Sequence, residues 1–219
     1  MKQGIVFDMD GILFDTERLS LICHHKTAEE MNLTHFDIDA IAADSVALNY
    51  ADTLAFITKK YPGFPYEDFH KRLQVNFAEI RKDDVPLKPG TMEILTYLNE
   101  TGWIVGLASS SHLDSVMYNL KKKGMEHFFR VIIGGDMVEH SKPQPDIYLK
   151  ACEKLGIDPK ESYAVEDSFN GIRSAYAAGM KSIMIPDLLQ PTDEILSMVY
   201  QKFDSLFAFM NYLKEQTEK

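Results

Sequence analysis

Five short runs in this chain are apolar at nearly every position instead of alternating between apolar and polar residues. This composition is typical of strands buried on both faces, which occur in parallel sheets covered by helices on each side. The runs lie at Gly4–Phe7, 103–108, Val131–Ile133, 163–165 and 182–185. We therefore predict a parallel sheet at the centre of the fold.

Segments with apolar residues at helical spacing separate these predicted strands. They lie at 90–101, 114–123, Asp146–Leu155 and 171–178. A glycine directly follows each segment, at the position where a left-handed residue ends many helices. These glycines are Gly102, Gly124, Gly156 and Gly179. The alternation of strand and helix predicts an α/β fold with a doubly wound parallel sheet and a Rossmann-like core.

The alternation breaks between residues 16 and 84, where no run is typical of a buried strand. Helix-like segments lie there at 19–31, 38–49, 50–61 and 66–81. We expect a helical-bundle cap domain of residues 16–84, inserted after the first strand of an α/β core formed by residues 1–15 and 85–219. Such an insertion is expected to act as a lid over the adjacent sheet edge. The expected small core of the cap contains Met31, Phe56, Phe69 and Phe77.

Two acidic pairs follow predicted strands. Asp8 and Asp10 come after the first strand, and Glu166 and Asp167 come after the run at 163–165. Taken alone, either pair is also typical of a solvated turn. However, parallel strands place their carboxyl ends at one edge, where open α/β sheets bind ligands. Two acidic clusters at that edge indicate a bound divalent cation with oxygen ligands.

Ser109, Ser110 and Lys142 are further candidate site residues. Ser109 ends the run at 103–108 and can donate a hydrogen bond to a phosphoryl oxygen, together with backbone N–H groups of the following helix. Capping of that helix by the serine run is an equally good interpretation. A lysine is usually just a solvated charge. Lys142 remains a candidate because Pro143 follows it, shortly before the predicted helix at 146–155.

Composition excludes several classes of protein. The net charge of −10 and the pI near 5.1 argue against binding to nucleic acid or to an anionic membrane surface. No apolar run reaches the length of a membrane span or of a signal peptide's hydrophobic region. Cys23 and Cys152 have no metal-type spacing. We expect a cytoplasmic monomer with no nucleic-acid or membrane partner, and a small phosphorylated ligand remains compatible with this charge.

In these motifs the chain resembles the haloacid dehalogenase superfamily, in particular its phosphatase and β-phosphoglucomutase-like branch. The matching motifs are the signature at 8–16, Ser109, Lys142 and the stretch at 166–171. The resemblance implies that Asp8 is a nucleophile that becomes an aspartyl phosphate, and that Asp10 is the general acid and base. It also implies a Mg²⁺ ion held by Asp8, the Asp10 carbonyl and Asp167, with support from Glu166. Ser109, Ser110 and Lys142 would contact the phosphate of a small phosphorylated metabolite, and Lys142 would also neutralise charge on Asp8.

The molecule that attacks the aspartyl phosphate determines the reaction. Mutase relatives typically carry Ser-Lys-Asn after the serine motif, a histidine soon after the Asp-Thr, and an arginine in the lid. Here the first stretch is Ser111-His112-Leu113, Ser20 lies where the histidine is expected, and 42–50 contains no arginine. We therefore predict hydrolysis of a small phosphomonoester, such as a sugar or polyol phosphate. A phosphosugar mutase of the β-phosphoglucomutase type is the alternative.

A second alternative is a non-catalytic member of the fold that binds a metabolite or a protein, since fold does not determine function. Against it, Asp8, Asp10, Lys142 and Asp167 are all present. The cap residues that could contact and select the substrate are Arg18, Lys59, Lys60 and the loop around Asn49.

Overall fold

The structure, a computed structural model, describes residues 4–45, 50–83, 85–187 and 190–217. In these residues six strands form one parallel sheet in the order β3-β2-β1-β4-β5-β6. The strands are β1 (Gly4–Phe7), β2 (Ile104–Ala108), β3 (Val131–Ile133), β4 (Tyr163–Glu166), β5 (Lys181–Met184) and β6 (Gln201–Lys202). The predicted parallel sheet is confirmed. Strand order reverses between β1 and β4, which is the point where such sheets form a ligand crevice.

Four of the six helices described in the core follow the prediction. The six are α5 (Thr91–Glu100), α6 (Leu113–Lys122), α7 (Asp146–Leu155), α8 (Phe169–Ala177), α9 (Asp193–Leu196) and α10 (Leu206–Thr217). The first four are followed by the predicted glycines, each with a positive φ between 64° and 76°. No element was predicted beyond residue 185, so α9, α10 and β6 are additions to the predicted fold.

Successive side chains in β1 point to opposite faces of the sheet. Val6 lies in a cluster with residues of α7 and α8, whereas Ile5 and Phe7 are completely buried outside that cluster. The helical members of the cluster are Ile147, Tyr148, Ala151, Cys152, Leu155 and Ala175. Gly106 leaves room for α7, because a Cβ there would lie 2.7 Å from Leu155 Cδ1. This close approach fixes α7, and with it Tyr148, against the centre of the sheet.

The chain divides into two compact units, Met1–Phe14 with Leu87–Lys219, and Asp15–Pro86. The second, called the helical unit, contains the four helices α1 (Thr16–Glu30), α2 (Ile38–Ser45), α3 (Tyr50–Lys60) and α4 (Tyr66–Asp83) among its described residues. Residues 46–49 of the predicted helix at 38–49 lie outside the described residues.

The helical unit has a hydrophobic core of its own. Phe69 is completely buried in it, and Met31 and Phe77 pack against it while partly exposed. The prediction is wrong for Phe56, whose side chain is 41 % exposed. None of the helices in the described parts of the chain has both the length and the hydropathy to cross a bilayer.

Candidate active site

The segment after β1 turns sharply at the edge of the sheet. The N–H of Asp8 donates to the Val165 carbonyl of β4 at 2.9 Å, so Asp8 is still held by the sheet. Gly11 then adopts a left-handed conformation with φ of +78°, and its N–H donates to the Phe14 carbonyl at 2.9 Å. An L residue with a side chain adopts this φ only with strain. The turn therefore places Asp8 and Asp10 at the carboxyl end of β1, beside β4.

Lys142 lies between two carboxylates in this crevice. Its Nζ donates to Asp8 Oδ1 at 2.5 Å, to Glu166 Oε1 at 2.6 Å and to the Ala108 carbonyl at 3.1 Å. The side chain of Lys142 is 7 % exposed, that of Asp8 is 10 % exposed and that of Glu166 is fully buried. The structure thus brings together residues from the ends of β1, β2 and β4 and from the loop before α7.

Burial and charge act in opposite directions on these groups. Burial raises the pKa of Asp8 to about 7, although the ammonium of Lys142 acts to lower it. Burial alone would lower the pKa of Lys142, but Asp8 and Glu166 raise it above its ordinary value, so Lys142 is a permanent cation. One ammonium beside Asp8 and Glu166, with Asp167 near them, leaves an excess of negative charge. The site is therefore suited to a further cation.

Three carboxylates can converge on such a cation. Asp8, Glu166 and Asp167 each offer an oxygen within 4.8 Å of those of the other two. Hard oxygen ligands of this kind suit Mg²⁺. Both oxygens of Glu166 already accept hydrogen bonds, Oε1 from Lys142 and Oε2 from the Ser168 hydroxyl at 3.1 Å. Asp8 and Asp167 are therefore the stronger candidate ligands.

Ser109 directly follows β2 and is fully buried. Its N–H donates a hydrogen bond to the Ile133 carbonyl of β3 at 3.0 Å. Its Oγ accepts the Ser111 N–H at 3.1 Å, which tightens the turn. Ser110 is exposed at the same edge of the sheet. Capping of the next helix by the serines is wrong, because α6 begins at Leu113, whose N–H donates to the Asp136 carboxylate at 2.8 Å.

Two residues of the site were missed in the sequence. The Ser111 hydroxyl donates to Asp10 Oδ2 at 3.1 Å, and nothing in the sequence distinguishes Ser111 from its neighbouring serines. The hydroxyl of Tyr148 donates to Glu166 Oε1 at 2.6 Å. Burial of Tyr148 was predictable, since it lies on the apolar face of the predicted helix at 146–155. A buried tyrosine hydroxyl needs a hydrogen-bond partner.

The candidate substrate-reading residues all belong to the helical unit. Arg18 and Lys59 are exposed. Lys60 pairs with Asp44 at 2.7 Å, within that unit. Asn49 lies outside the described residues. A role for these residues in binding substrate stays a prediction.

Comparison with known proteins identifies the family. Residues 5–185 match the model of the haloacid dehalogenase-like hydrolases, and the chain belongs to that family. The resemblance noted in the sequence is confirmed.

Similar proteins include two named phosphatases. Hexitol phosphatase B of Escherichia coli O157:H7 is 28 % identical over 92 % of this chain and 91 % of its own length. The phosphorylated carbohydrates phosphatase of Thermotoga maritima is 27 % identical over 83 % of each chain. A crystal structure of a HAD family hydrolase from Deinococcus radiodurans R1, described with bound phosphate and sodium, is 24 % identical. It superposes with a TM-score of 0.83 over 98 % of this chain and 96 % of its own, which shows a common fold.

Gly11 gives a direct test of the acidic cluster. A Cβ at this position would lie 2.0 Å from Asp167 Oδ2, so Gly11→Ala must displace the Asp167 carboxylate. We expect kcat/KM for phosphate-ester hydrolysis to fall roughly 100-fold. The matched control is Gly102→Ala, where φ is +76° and nothing lies within 4 Å of the added Cβ. It carries the same backbone strain of about 1 kcal/mol and should keep full activity. Equal activity of the two variants would contradict this account of the turn.

Proposed function

We propose that this protein is a Mg²⁺-dependent phosphatase that hydrolyses a small phosphomonoester through an aspartyl phosphate on Asp8. The observation that carries the proposal is the Lys142 ammonium held against both Asp8 and Glu166, with Asp167 near them, at the carboxyl end of a parallel sheet. Lys142 and Asp8 are 134 positions apart in the chain, so this contact is a product of the fold. The named phosphatase relatives support a sugar or polyol phosphate as the substrate.

In the first step a carboxylate oxygen of Asp8 attacks the phosphorus and the P–O bond to the alcohol breaks. Asp10, held by the Ser111 hydroxyl, donates a proton to the departing alkoxide oxygen. The Lys142 ammonium offsets the negative charge of Asp8 and the phosphoryl group, which otherwise repel each other. The Ser109 hydroxyl and nearby backbone N–H groups donate to the phosphoryl oxygens. The products of this step are the free alcohol and the aspartyl phosphate.

In the second step a water molecule attacks the phosphorus of the aspartyl phosphate. Asp10, now ionised, accepts a proton from that water as the bond between phosphorus and the Asp8 oxygen breaks. Inorganic phosphate leaves and Asp8 is again a carboxylate. Because Asp10 serves as acid and then as base, each turnover returns it to its starting protonation state.

A Mg²⁺ ion fits the residues of this site. The Asp8 and Asp167 carboxylates and the Asp10 carbonyl would hold it, with Glu166 in support. When bound, it would polarise the phosphoryl group and offset its charge. Burial raises the pKa of Asp8 even beside Lys142, and a bound cation would oppose that shift, which supports this proposal. Gly11 supports the proposal too, because a side chain at this position would displace the Asp167 carboxylate from the cluster.

Removal of divalent metal gives the first functional test. Phosphate release is measured over a panel of sugar, polyol and nucleotide phosphates, with Mg²⁺ and after treatment with EDTA. We expect EDTA to lower kcat by more than about 100-fold and added Mg²⁺ to restore it, because the carboxylate nucleophile and the phosphate repel each other without the ion. Absence of metal-dependent release from every ester would favour the non-catalytic binder. Conversion of one glucose phosphate into another without net release would favour the mutase.

We also propose that the helical unit is the predicted cap of residues 16–84. The division of the chain at Asp15–Pro86 and the separate hydrophobic core of that unit support this assignment.

A further inference from the structure

We propose that Tyr148 is a positioning residue of the phosphatase reaction, which acts on Lys142 through Glu166. This inference rests on the proposed function. The hydroxyl of Tyr148 and the Nζ of Lys142 donate to the same oxygen, Glu166 Oε1, each at 2.6 Å. Glu166 thus joins a buried tyrosine to the cation that faces the nucleophile.

Glu166 is confined on several sides. Its second oxygen accepts the Ser168 hydroxyl at 3.1 Å, and Ser168 is itself fixed because its Oγ caps α8 through the Gly171 N–H at 3.1 Å. A Cβ at Gly171 would lie 1.9 Å from the carboxyl carbon of Glu166, so the backbone of α8 closely approaches this carboxylate. These contacts hold the Glu166 carboxylate in one position, and the hydrogen bond from the Tyr148 hydroxyl adds a further constraint.

Tyr148 also contacts Lys142 directly. The Lys142 Nζ lies 5.1 Å from the centre of the Tyr148 ring, within the range of a cation–π contact. The tyrosine is fully buried in the first turn of α7, which packs against the sheet. The ring limits the movement of the ammonium on one side, and the hydroxyl fixes its carboxylate partner. Both effects keep Lys142 directed at Asp8.

Tyr148→Phe separates these two effects, because it removes only the hydroxyl and keeps the ring. Glu166 Oε1 keeps Lys142 as a donor, so the buried carboxylate is not left unpaired and the fold should persist. Lys142 acts on charge that develops during phosphoryl transfer, so its looser placement should slow catalysis more than it weakens substrate binding. We expect kcat to fall about tenfold while KM changes by less than about twofold.

Tyr163→Phe is the matched control. Tyr163 is a buried tyrosine at the opposite end of β4 from Glu166, and its hydroxyl shares a hydrogen bond with Tyr212. This substitution removes a comparable hydroxyl far from the site, so kcat and KM should match those of the unchanged protein. A fall in kcat of equal size in both variants would overturn the inference, because it would reflect a general loss of stability.

A double-mutant cycle tests the route through Glu166. If Tyr148 acts through that carboxylate, Tyr148→Phe should change kcat by less than about twofold in a Glu166→Leu background, which offers the Tyr148 hydroxyl no acceptor. Full additivity of the two substitutions would overturn the proposed route. A kcat for Tyr148→Phe equal to that of the unchanged protein would overturn the role itself.

A measurement without substrate separates this inference from the proposed function. Beryllium fluoride with Mg²⁺ mimics a phosphoryl group on an aspartate, and its binding raises the melting temperature. We expect a smaller rise for Tyr148→Phe than for Tyr163→Phe. Equal rises would overturn the positioning role. If the unchanged protein shows the rise but releases no phosphate from any ester, the proposed function fails, and a smaller rise for Tyr148→Phe then assigns Tyr148 only the positioning of Lys142 against a bound anion.

Discussion

Replacement of Asp8 by asparagine is expected to lower kcat/KM for phosphate release by at least about 10⁴-fold, as loss of a covalent nucleophile typically does. Asparagine has nearly the same shape and can still accept a hydrogen bond from Lys142, which lies 2.5 Å from Asp8 Oδ1. An amide oxygen, however, is a poor nucleophile towards phosphorus and forms no acyl phosphate. The loss therefore reports chemistry and not a change of packing.

The same substitution should leave the folded state intact or make it more stable. Folding raises the pKa of Asp8 to about 7, so the ionised carboxylate costs stability, and this cost grows as the pH rises from the ordinary value towards 7. At about pH 8 the cost is fully present in the metal-free protein, and neutral asparagine removes it. We expect the free energy of unfolding of Asp8→Asn, measured in EDTA, to rise by about 1 kcal/mol.

Asp204→Asn provides the control, because the Asp204 side chain is 94 % exposed. It should change neither activity nor stability. Retention of more than about a tenth of the activity by Asp8→Asn would exclude this residue as the nucleophile.

Replacement of Lys142 by methionine is the second large effect that we expect. The substitution keeps much of the volume but leaves Asp8 and Glu166 buried beside each other without their shared cation. Removal of one partner of a buried ionic group typically costs roughly 3 kcal/mol of unfolding free energy, and one of the carboxylates is then driven to take up a proton. The phosphoryl group also loses its positive partner. We expect kcat/KM to fall by about 10³-fold.

Lys154→Met is the matched control for this substitution, since Lys154 is an exposed lysine of α7. Its activity and its free energy of unfolding should equal those of the unchanged protein. If Lys142→Met lost stability but kept its activity, Lys142 would be a structural cation alone.

The residues that could be placed from the sequence are those whose position follows from strand ends. Asp8 and Asp167 each follow an apolar run, and parallel strands bring their carboxyl ends to one edge, so their proximity was predictable. The approach of Lys142 to Asp8 was not predictable from spacing. It depends on how the loop before α7 returns to the sheet, and it entered the prediction through the family resemblance.

The contacts that were missed are those that depend on side-chain packing. Tyr148 was recognisable as a core residue, but its partner Glu166 is on β4, and pairing across elements has no local signature. β6 (Gln201–Lys202) is a two-residue edge strand of polar residues, so it lacks the apolar run that identified the other strands. Phe56 belongs to an apolar pattern in α3, yet it lies on the solvent side of the helical unit.

Chemical trapping of the covalent intermediate tests the central claim most directly. The enzyme is mixed with Mg²⁺ and a phosphate ester that it hydrolyses, and the reaction is quenched. Borohydride, which reduces an acyl phosphate to an alcohol, is then added, and the protein is digested for mass spectrometry. We predict homoserine in place of aspartate at position 8, only when substrate is present and never in Asp8→Asn. Phosphate release with an unmodified Asp8, or reduction at a different carboxylate, would contradict this account.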